Sequence, residues 1–187
     1  MSDKKTIRIF CYLGLTLLVI SQILLAQGFE FLADQSPIDF AHWSMLIGVV
    51  CLLGFNFVFS NHWLDRVASI MLVIGSVAHI GMCAIDFILW SFGNDFSSRD
   101  LVVGQMLGTT SIAYPFLYVG PAMLYIALSL HGWRFIKPST LPSLMAILGS
   151  AMIGAGQFLI LDRTIVVIGT VIMSAGLIWL IQKHQKE

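Results

Sequence analysis

Charged residues are scarce in this sequence. Lysine, arginine, aspartate and glutamate together make up 11% of the 187 residues, whereas an ordinary soluble domain has about a quarter. The hydrophobic fraction is 58% and the mean hydropathy is +0.89. This composition excludes a water-soluble fold. Ten basic residues balance ten acidic ones, so the chain lacks the basic excess that phosphate binding needs, and we expect no nucleic-acid partner.

Cysteine is also rare. Cys11, Cys51 and Cys83 form no Cys-x-x-Cys pair, and their odd number argues against a disulfide framework or a thiol redox motif. We interpret them as free thiols within apolar segments. The sequence has no Asn-x-Ser/Thr sequon, so nothing in it indicates a glycosylated surface protein.

Long apolar runs are what the sequence has instead. A helix crosses about 30 Å of hydrocarbon with roughly 20 apolar residues, and it satisfies its own backbone hydrogen bonds in doing so. Six runs are long enough, and together they predict a single all-α integral membrane domain over residues 1–187, with the lipid bilayer as its surroundings. The predicted transmembrane spans are residues 9–29, 41–61, 67–90, 112–131, 141–161 and 164–182.

The distribution of basic residues predicts the orientation of these spans. Basic residues in short loops resist translocation, so the side of the membrane that carries most of them is cytoplasmic. Only Arg99 and Arg163 fall on the other side, which places both termini in the cytoplasm. Short loops and the missing sequons favour a bacterial cytoplasmic membrane. The basic residues predicted on the cytoplasmic side are Lys4, Lys5, Arg8, Arg66, Arg134, Lys137, Lys183 and Lys186.

Small residues and prolines predict how the helices pack. Ser150 and Gly154, four residues apart, form a small-xxx-small pattern that lets two helix backbones approach closely in lipid. The fifth and sixth helices are therefore expected to form a tight pair. Pro115 and Pro121 should bend the fourth helix, because each removes a backbone donor and crowds the preceding turn.

Asp86 is the one carboxylate inside a predicted span. A charge in hydrocarbon costs about 2.5 to 3.5 kcal/mol or more, so such a residue is a functional candidate. His79, Met82, Cys83 and Asp86 share one helical face, and their side chains include ligands for copper or haem. One helical stripe does not complete a coordination sphere, so we predict no metal and no cofactor. The alternative is that Asp86 and His79 make only structural hydrogen bonds.

Other polar residues concentrate in the half of the bundle predicted to face outward. We expect them to form an outward-opening polar pocket with His79 and Asp86 at its base. Tyr114, Tyr118 and Tyr125 are spaced to share one side of the fourth helix, which is typical of a lining. The alternative is a set of scattered interhelical hydrogen bonds. The candidate ligand-binding residues are His79, Asp86, His42, Tyr114, Tyr118, Gln22 and Gln157.

Three functions are compatible with this pattern. The first is a small binding or transport protein for a small-molecule or lipid-like ligand, acting as a homodimer or with a partner because one chain leaves little room for a pathway. The second is a membrane-embedded oxidoreductase or hydrolase using His79 and Asp86. Haem between helices would need paired histidines at matching depth, which His42, His79 and His131 do not provide, so we assign no catalytic residue. The third is a sensor or accessory subunit that docks another membrane protein.

Overall fold

The computed structural model describes residues 2–34, 38–59 and 62–184, and within these residues the chain is all-helical, at 86% helix without a strand. Two short segments are π-helical, with i to i+5 hydrogen bonds. The elements are α1 (Ser2–Leu25), α2 (Phe29–Ala33), α3 (Phe40–Leu52), α4 (Phe55–Val58), α5 (Trp63–Trp90), α6 (Phe96–Gly108), α7 (Thr110–Ile112), a first π segment (Ala113–Tyr118), α8 (Val119–Arg134), α9 (Thr140–Ala155), a second π segment (Gly156–Ile160) and α10 (Arg163–Lys183).

Six stretches of the described residues are long and apolar enough to cross a membrane, which confirms the predicted helix count. Their ends differ from the predicted ones by at most five residues. The largest difference is at the start of the first stretch, which begins five residues before the predicted span. This stretch also ends four residues early, because Gly28, with φ of 93°, interrupts the helix before the short helix α2. The end of the second predicted span, residues 60–61, and Lys186 lie outside the described residues. The stretches are Lys4–Leu25, Phe40–Val58, Trp63–Trp90, Thr110–Arg134, Thr140–Ile160 and Arg163–Lys183.

The long helices form a ring in chain order. Within the described residues they pack most closely as antiparallel hairpins: α1 with α3, α5 with α8, and α9 with α10. Neighbouring hairpins meet through α3 and α5, through α8 and α9, and through α10 and α1, which closes the ring. We call the end where α5 finishes the Asp86 end and the opposite end, where α8 finishes, the Arg134 end.

The close packing of the hairpin of α9 and α10 depends on glycine. A Cβ on Gly149 of α9 would lie 2.5 Å from the carbonyl oxygen of Gly169 and 2.8 Å from Cα of Met173, both on α10. The predicted tight pair of the last two helices is confirmed. The close contact is made by Gly149 and not by the predicted Gly154, because a Cβ on Gly154 would meet nothing within 4 Å. Gly154 lies on another face of α9.

The predicted bend in the fourth span takes the form of the first π segment. Pro115 lacks the N–H that an α-helical turn would use, and the wider π turn accommodates that loss. The second π segment follows α9 and ends at Leu161, which adopts the left-handed conformation with φ of 58°. Both segments lie at the Asp86 end, where π turns redirect the following side chains.

The Arg134 end is filled by aromatic rings and a buried ion pair. The imidazole of His131 lies 5.8 Å from the rings of Phe55 and of Phe59, measured between centroids. Asp65, which is 2% exposed, accepts a hydrogen bond from the guanidinium of Arg134, and its other oxygen is 3.4 Å from Nδ1 of His131. Access to the centre of the ring is therefore blocked at this end.

A cavity at the Asp86 end as candidate functional site

The centre of the ring opens into a cavity of about 930 Å³ at the Asp86 end. Along α5 its lining extends from His79 to Trp90, a depth of about 16 Å at 1.5 Å per residue. Every long helix contributes to the wall. Both π segments contribute as well, through Leu117 from the first and Phe158 from the second. The cavity is therefore a deep well between the hairpins.

Five of the predicted ligand-binding residues line this one cavity: Gln22, His42, His79, Asp86 and Gln157. They come from α1, α3, α5 and the second π segment, so residues far apart in sequence converge as predicted from their depth. Whether they bind a ligand stays a prediction. The geometry shows that they share a space.

Tyr114 and Tyr118 do not reach the cavity, and the predicted lining by this tyrosine face is wrong for both. Their side chains are 57% and 43% exposed and pack against each other, with ring centroids 6.0 Å apart. The spacing of Tyr114, Tyr118 and Tyr125 places them on one face only if the helix is α-helical throughout. The π segment Ala113–Tyr118 has more residues per turn, which rotates these tyrosines away from Tyr125. Tyr125, beyond the π segment, does line the cavity.

Asp39, His42 and Asp86 form a chain of contacts beneath the mouth of the cavity. Nδ1 of His42 lies 2.5 Å from Oδ2 of Asp39, and Nε2 lies 3.2 Å from Oδ2 of Asp86. A neutral imidazole has a single N–H, so both contacts are hydrogen-bond donations only when the ring is protonated. Because His42 is on α3 and Asp86 on α5, this chain joins the first two hairpins.

Helix capping explains how Asp39 and His42 come together. Asp39 precedes the first residue of α3, and its Oδ1 accepts a hydrogen bond from the backbone N–H of His42, at 3.1 Å. This is the usual role of aspartate at a helix start. The side chain of His42, three residues on, then turns back to the same carboxylate. Asp39 was not among the predicted site residues, although an aspartate followed three residues later by a histidine is a readable signal.

His79 and Asp86 line the same cavity, but among the described residues His79 bonds to its own helix and not to Asp86. Nδ1 of His79 is 3.0 Å from the carbonyl oxygen of Gly75, one turn earlier, and must be the donor in that contact. The neutral ring therefore presents Nε2 as an acceptor. Its edge faces Tyr125, with centroids 5.7 Å apart. The other two residues of the predicted helical face differ in position. Met82 lines the cavity, whereas Cys83 is fully buried outside it.

Two arginines at the mouth were not among the predicted site residues. Arg99 of α6 and Arg163 at the start of α10 both line the cavity. The guanidinium of Arg163 donates to Oε1 of Gln157 at 3.0 Å. The sequence did contain a signal, because these are the two basic residues predicted on the side of the membrane opposite to all the others. That pattern predicts the orientation of the helices, but it does not show that both arginines reach one cavity.

Short helices flank the mouth. Leu32 of α2 and Arg99 of α6 are part of the lining. The indole N–H of Trp90 at the end of α5 donates to the carbonyl oxygen of Leu32 at 3.2 Å, which fixes α2 against α5. Each of these helices therefore adds a residue to the rim of the cavity.

Comparison with protein-family models, curated proteins and solved structures finds no match for this chain.

The site itself has two zones that differ in chemistry. Charged and amide groups lie near the mouth. Below them the wall is mainly apolar, and its larger side chains are Met45, Met82, Leu117, Tyr125, Ile126, Ile147 and Ile153.

Proposed function

We propose that this chain is a multi-pass membrane protein that binds a lipid-like, amphipathic small molecule in the cavity at the Asp86 end. The observation that carries the proposal is the cavity itself, a well of about 930 Å³ with a polar mouth and an apolar interior. Pockets for small molecules typically have about 300 to 1,000 Å³, so this one suits a large ligand. An ion or a small metabolite would leave most of the apolar wall without a partner.

The proposed orientation places the mouth on the extracytoplasmic side of a bacterial cytoplasmic membrane. Arg99 and Arg163 lie at the Asp86 end. The other described basic residues lie in the first two turns of α1, in the first turn of α5, in the last turns of α8 and α10, or in the turn after α8, all at the Arg134 end. The positive-inside rule then makes the Arg134 end cytoplasmic. In this conformation a ligand enters from outside, since the aromatic rings and the Asp65–Arg134 pair fill the inner end.

Ligand binding is the step that transport and sensing have in common. Transport would also require the rings of Phe55, Phe59 and His131 to separate at the Arg134 end. An enzyme based on His79 and Asp86 has less support, because Asp86 pairs with His42 and His79 is held by its own helix. Binding is therefore the function that the geometry supports best.

Filling the cavity should abolish binding without unfolding the protein. Gly154 lines the cavity and has open space where a Cβ would stand, so Gly154→Leu places a side chain in the well without a backbone clash. The protein is extracted with its lipids in polymer nanodiscs and analysed by native mass spectrometry. We expect the wild type to retain an amphiphile that Gly154→Leu lacks.

The matched control for this experiment is Gly104→Leu on α6. A Cβ added to Gly104 would also meet nothing within 4 Å, but this residue does not line the cavity. The variant should retain the same adduct as the wild type. Equal retention by all three proteins, or no retained amphiphile in any of them, would contradict the proposal.

The proposed orientation predicts a labelling pattern for introduced cysteines. Asn94→Cys lies in the exposed turn at the Asp86 end, and Lys137→Cys lies in the exposed turn at the Arg134 end. A membrane-impermeant maleimide added to intact cells should label Asn94→Cys and should reach Lys137→Cys only after lysis. The native thiols are buried and give a low background. The reverse pattern would show that the cavity faces the cytoplasm.

A further inference from the structure

The mouth of the cavity carries charges of both signs, and two of them, Asp86 and Arg163, lie on opposite walls. Asp86 is on α5 and Arg163 begins α10, and these helices lie across the ring from each other in the order of packing. Among the described lining residues, the carboxylates of Asp39 and Asp86 balance the guanidinium groups of Arg99 and Arg163. A site with separated charges of both signs is complementary to a headgroup built in the same way.

Two lining residues, one on α5 and one on α1, present hydrogen-bond acceptors. The side chain of Asp86 is 30% exposed and pairs, within the described residues, with His42 through Oδ2. Gln22 is 4% exposed, lines the cavity, and has a buried Oε1 without a hydrogen-bond partner among the described residues. A buried acceptor without a donor costs free energy, which a bound ligand can recover. An ammonium group has three donors and no acceptor, so it is a suitable partner for the open side of the Asp86 carboxylate.

The α10 wall presents donors. Arg163 donates to the neutral side chain of Gln157, and no carboxylate of the described residues lies within 4.0 Å of its guanidinium. Its charge is therefore not compensated by a partner of opposite sign. Guanidinium binds phosphate or carboxylate through paired hydrogen bonds, which are stronger than those between neutral groups. An anionic group of the ligand would occupy this position.

We infer that the ligand has a zwitterionic headgroup, with an ammonium group toward Asp86, an anionic group toward Arg163, and its hydrocarbon chain in the apolar well. This inference rests on the proposed function and specifies its ligand. A purely anionic headgroup would offer the Asp86 carboxylate no donor beyond His42. A purely cationic headgroup would leave Arg163 without an anion.

A competition experiment tests the headgroup. The probe is lysophosphatidylethanolamine with a photoactivatable diazirine on its acyl chain, crosslinked to the wild type in nanodiscs. The competitors have the same chain and differ in headgroup: lysophosphatidylethanolamine, anionic lysophosphatidylglycerol, uncharged monoacylglycerol and a cationic alkylamine. We expect the zwitterionic competitor to displace the probe at roughly ten-fold lower concentration than each of the others, as charge-assisted hydrogen bonds imply.

Charge-neutral variants then separate the two halves of the headgroup. Asp86→Asn should remove the preference for lysophosphatidylethanolamine over lysophosphatidylglycerol and keep the preference over the alkylamine. Arg163→Gln should do the opposite. The matched controls are Asp100→Asn and Arg66→Gln, at residues that do not line the cavity, and both should keep the wild-type order. Thermal melting of each variant confirms that it is folded.

The outcomes distinguish this inference from the proposed function. If all four competitors displace the probe equally, or if Asp86→Asn and Arg163→Gln weaken every competitor alike, the zwitterionic headgroup is wrong while amphiphile binding stands. If crosslinks fall on the outer surface of the helices and not on cavity residues such as Met82 or Ile147, the proposed function fails as well.

Discussion

Asp65→Asn is expected to lower the free energy of unfolding by about 3 kcal/mol, since removing one partner of a buried ion pair leaves the other charge uncompensated. Asp65 is 2% exposed and contacts both Arg134 and His131 on α8. Asparagine keeps an oxygen that can accept the backbone N–H of His62, as Asp65 does at 3.2 Å, so the start of α5 stays capped. The side chain of Arg134 is 22% exposed, which places the effect at the lower end of the usual range. Thermal or denaturant unfolding in a mild detergent measures the loss.

Asp162→Asn is the matched control, because the sequence Leu-Asp-Arg occurs at both 64–66 and 161–163. Asp162 is exposed and caps α10 by accepting the backbone N–H of Thr164 at 2.7 Å. Asparagine caps a helix as well as aspartate does, so this variant should stay within about 0.5 kcal/mol of the wild type. The double variant Asp65→Asn/Arg134→Gln should recover part of the loss, because no buried charge is left alone. Equal unfolding of Asp65→Asn and Asp162→Asn would show that the pair does not stabilise the fold.

These two tripeptides show what the sequence could and could not predict. Both predict a turn before a helix, and both do cap one. Asp65 becomes a buried partner of Arg134 only because α8 packs against α5. No basic side chain of the described residues lies within ion-pair distance of Asp162. Local chemistry is readable from three letters, but the environment of a side chain depends on residues 69 positions away.

The same distinction separates the predicted from the unpredicted parts of the site. Hydropathy predicted the long helices, because each helix satisfies its own backbone hydrogen bonds and its formation depends only on the composition of its own segment. Depth along a helix placed Gln22, His42 and Asp86 at one level, and they do share a cavity. The sequence assigned no partner to Asp86, since helical spacing relates a residue only to its own helix. The contact with His42 requires α3 to pack against α5, which a single sequence does not reveal.

The tyrosines failed for a different reason. Tyr114, Tyr118 and Tyr125 match an α-helical period, and the period itself changes between them. Pro115 was the signal, and it was interpreted as a bend when its effect is also a change in the number of residues per turn. A proline inside an apolar span therefore interrupts any face assigned across it.

Gly149→Ala is expected to destabilise the protein by about 2 kcal/mol, because adding a methyl group to a closely packed interface forces backbone shifts that usually cost about 1 to 3 kcal/mol. The added Cβ would meet the carbonyl oxygen of Gly169 at 2.5 Å and Cα of Met173 at 2.8 Å. These are main-chain atoms of α10 and cannot rotate away. The hairpin of α9 and α10 must open to accommodate the substitution, and a lower melting temperature in detergent should report it.

Gly154→Ala, five residues further along α9, is the matched control for the same chemical change. Its Cβ would enter the cavity, where nothing lies within 4 Å, and alanine favours a helix over glycine by up to about 1 kcal/mol. This variant should melt at or above the wild-type temperature. If both variants are equally stable, close backbone approach is not what holds α9 to α10. If both are destabilised, the space beside Gly154 is filled in the folded protein, and the cavity on which ligand binding depends does not exist there.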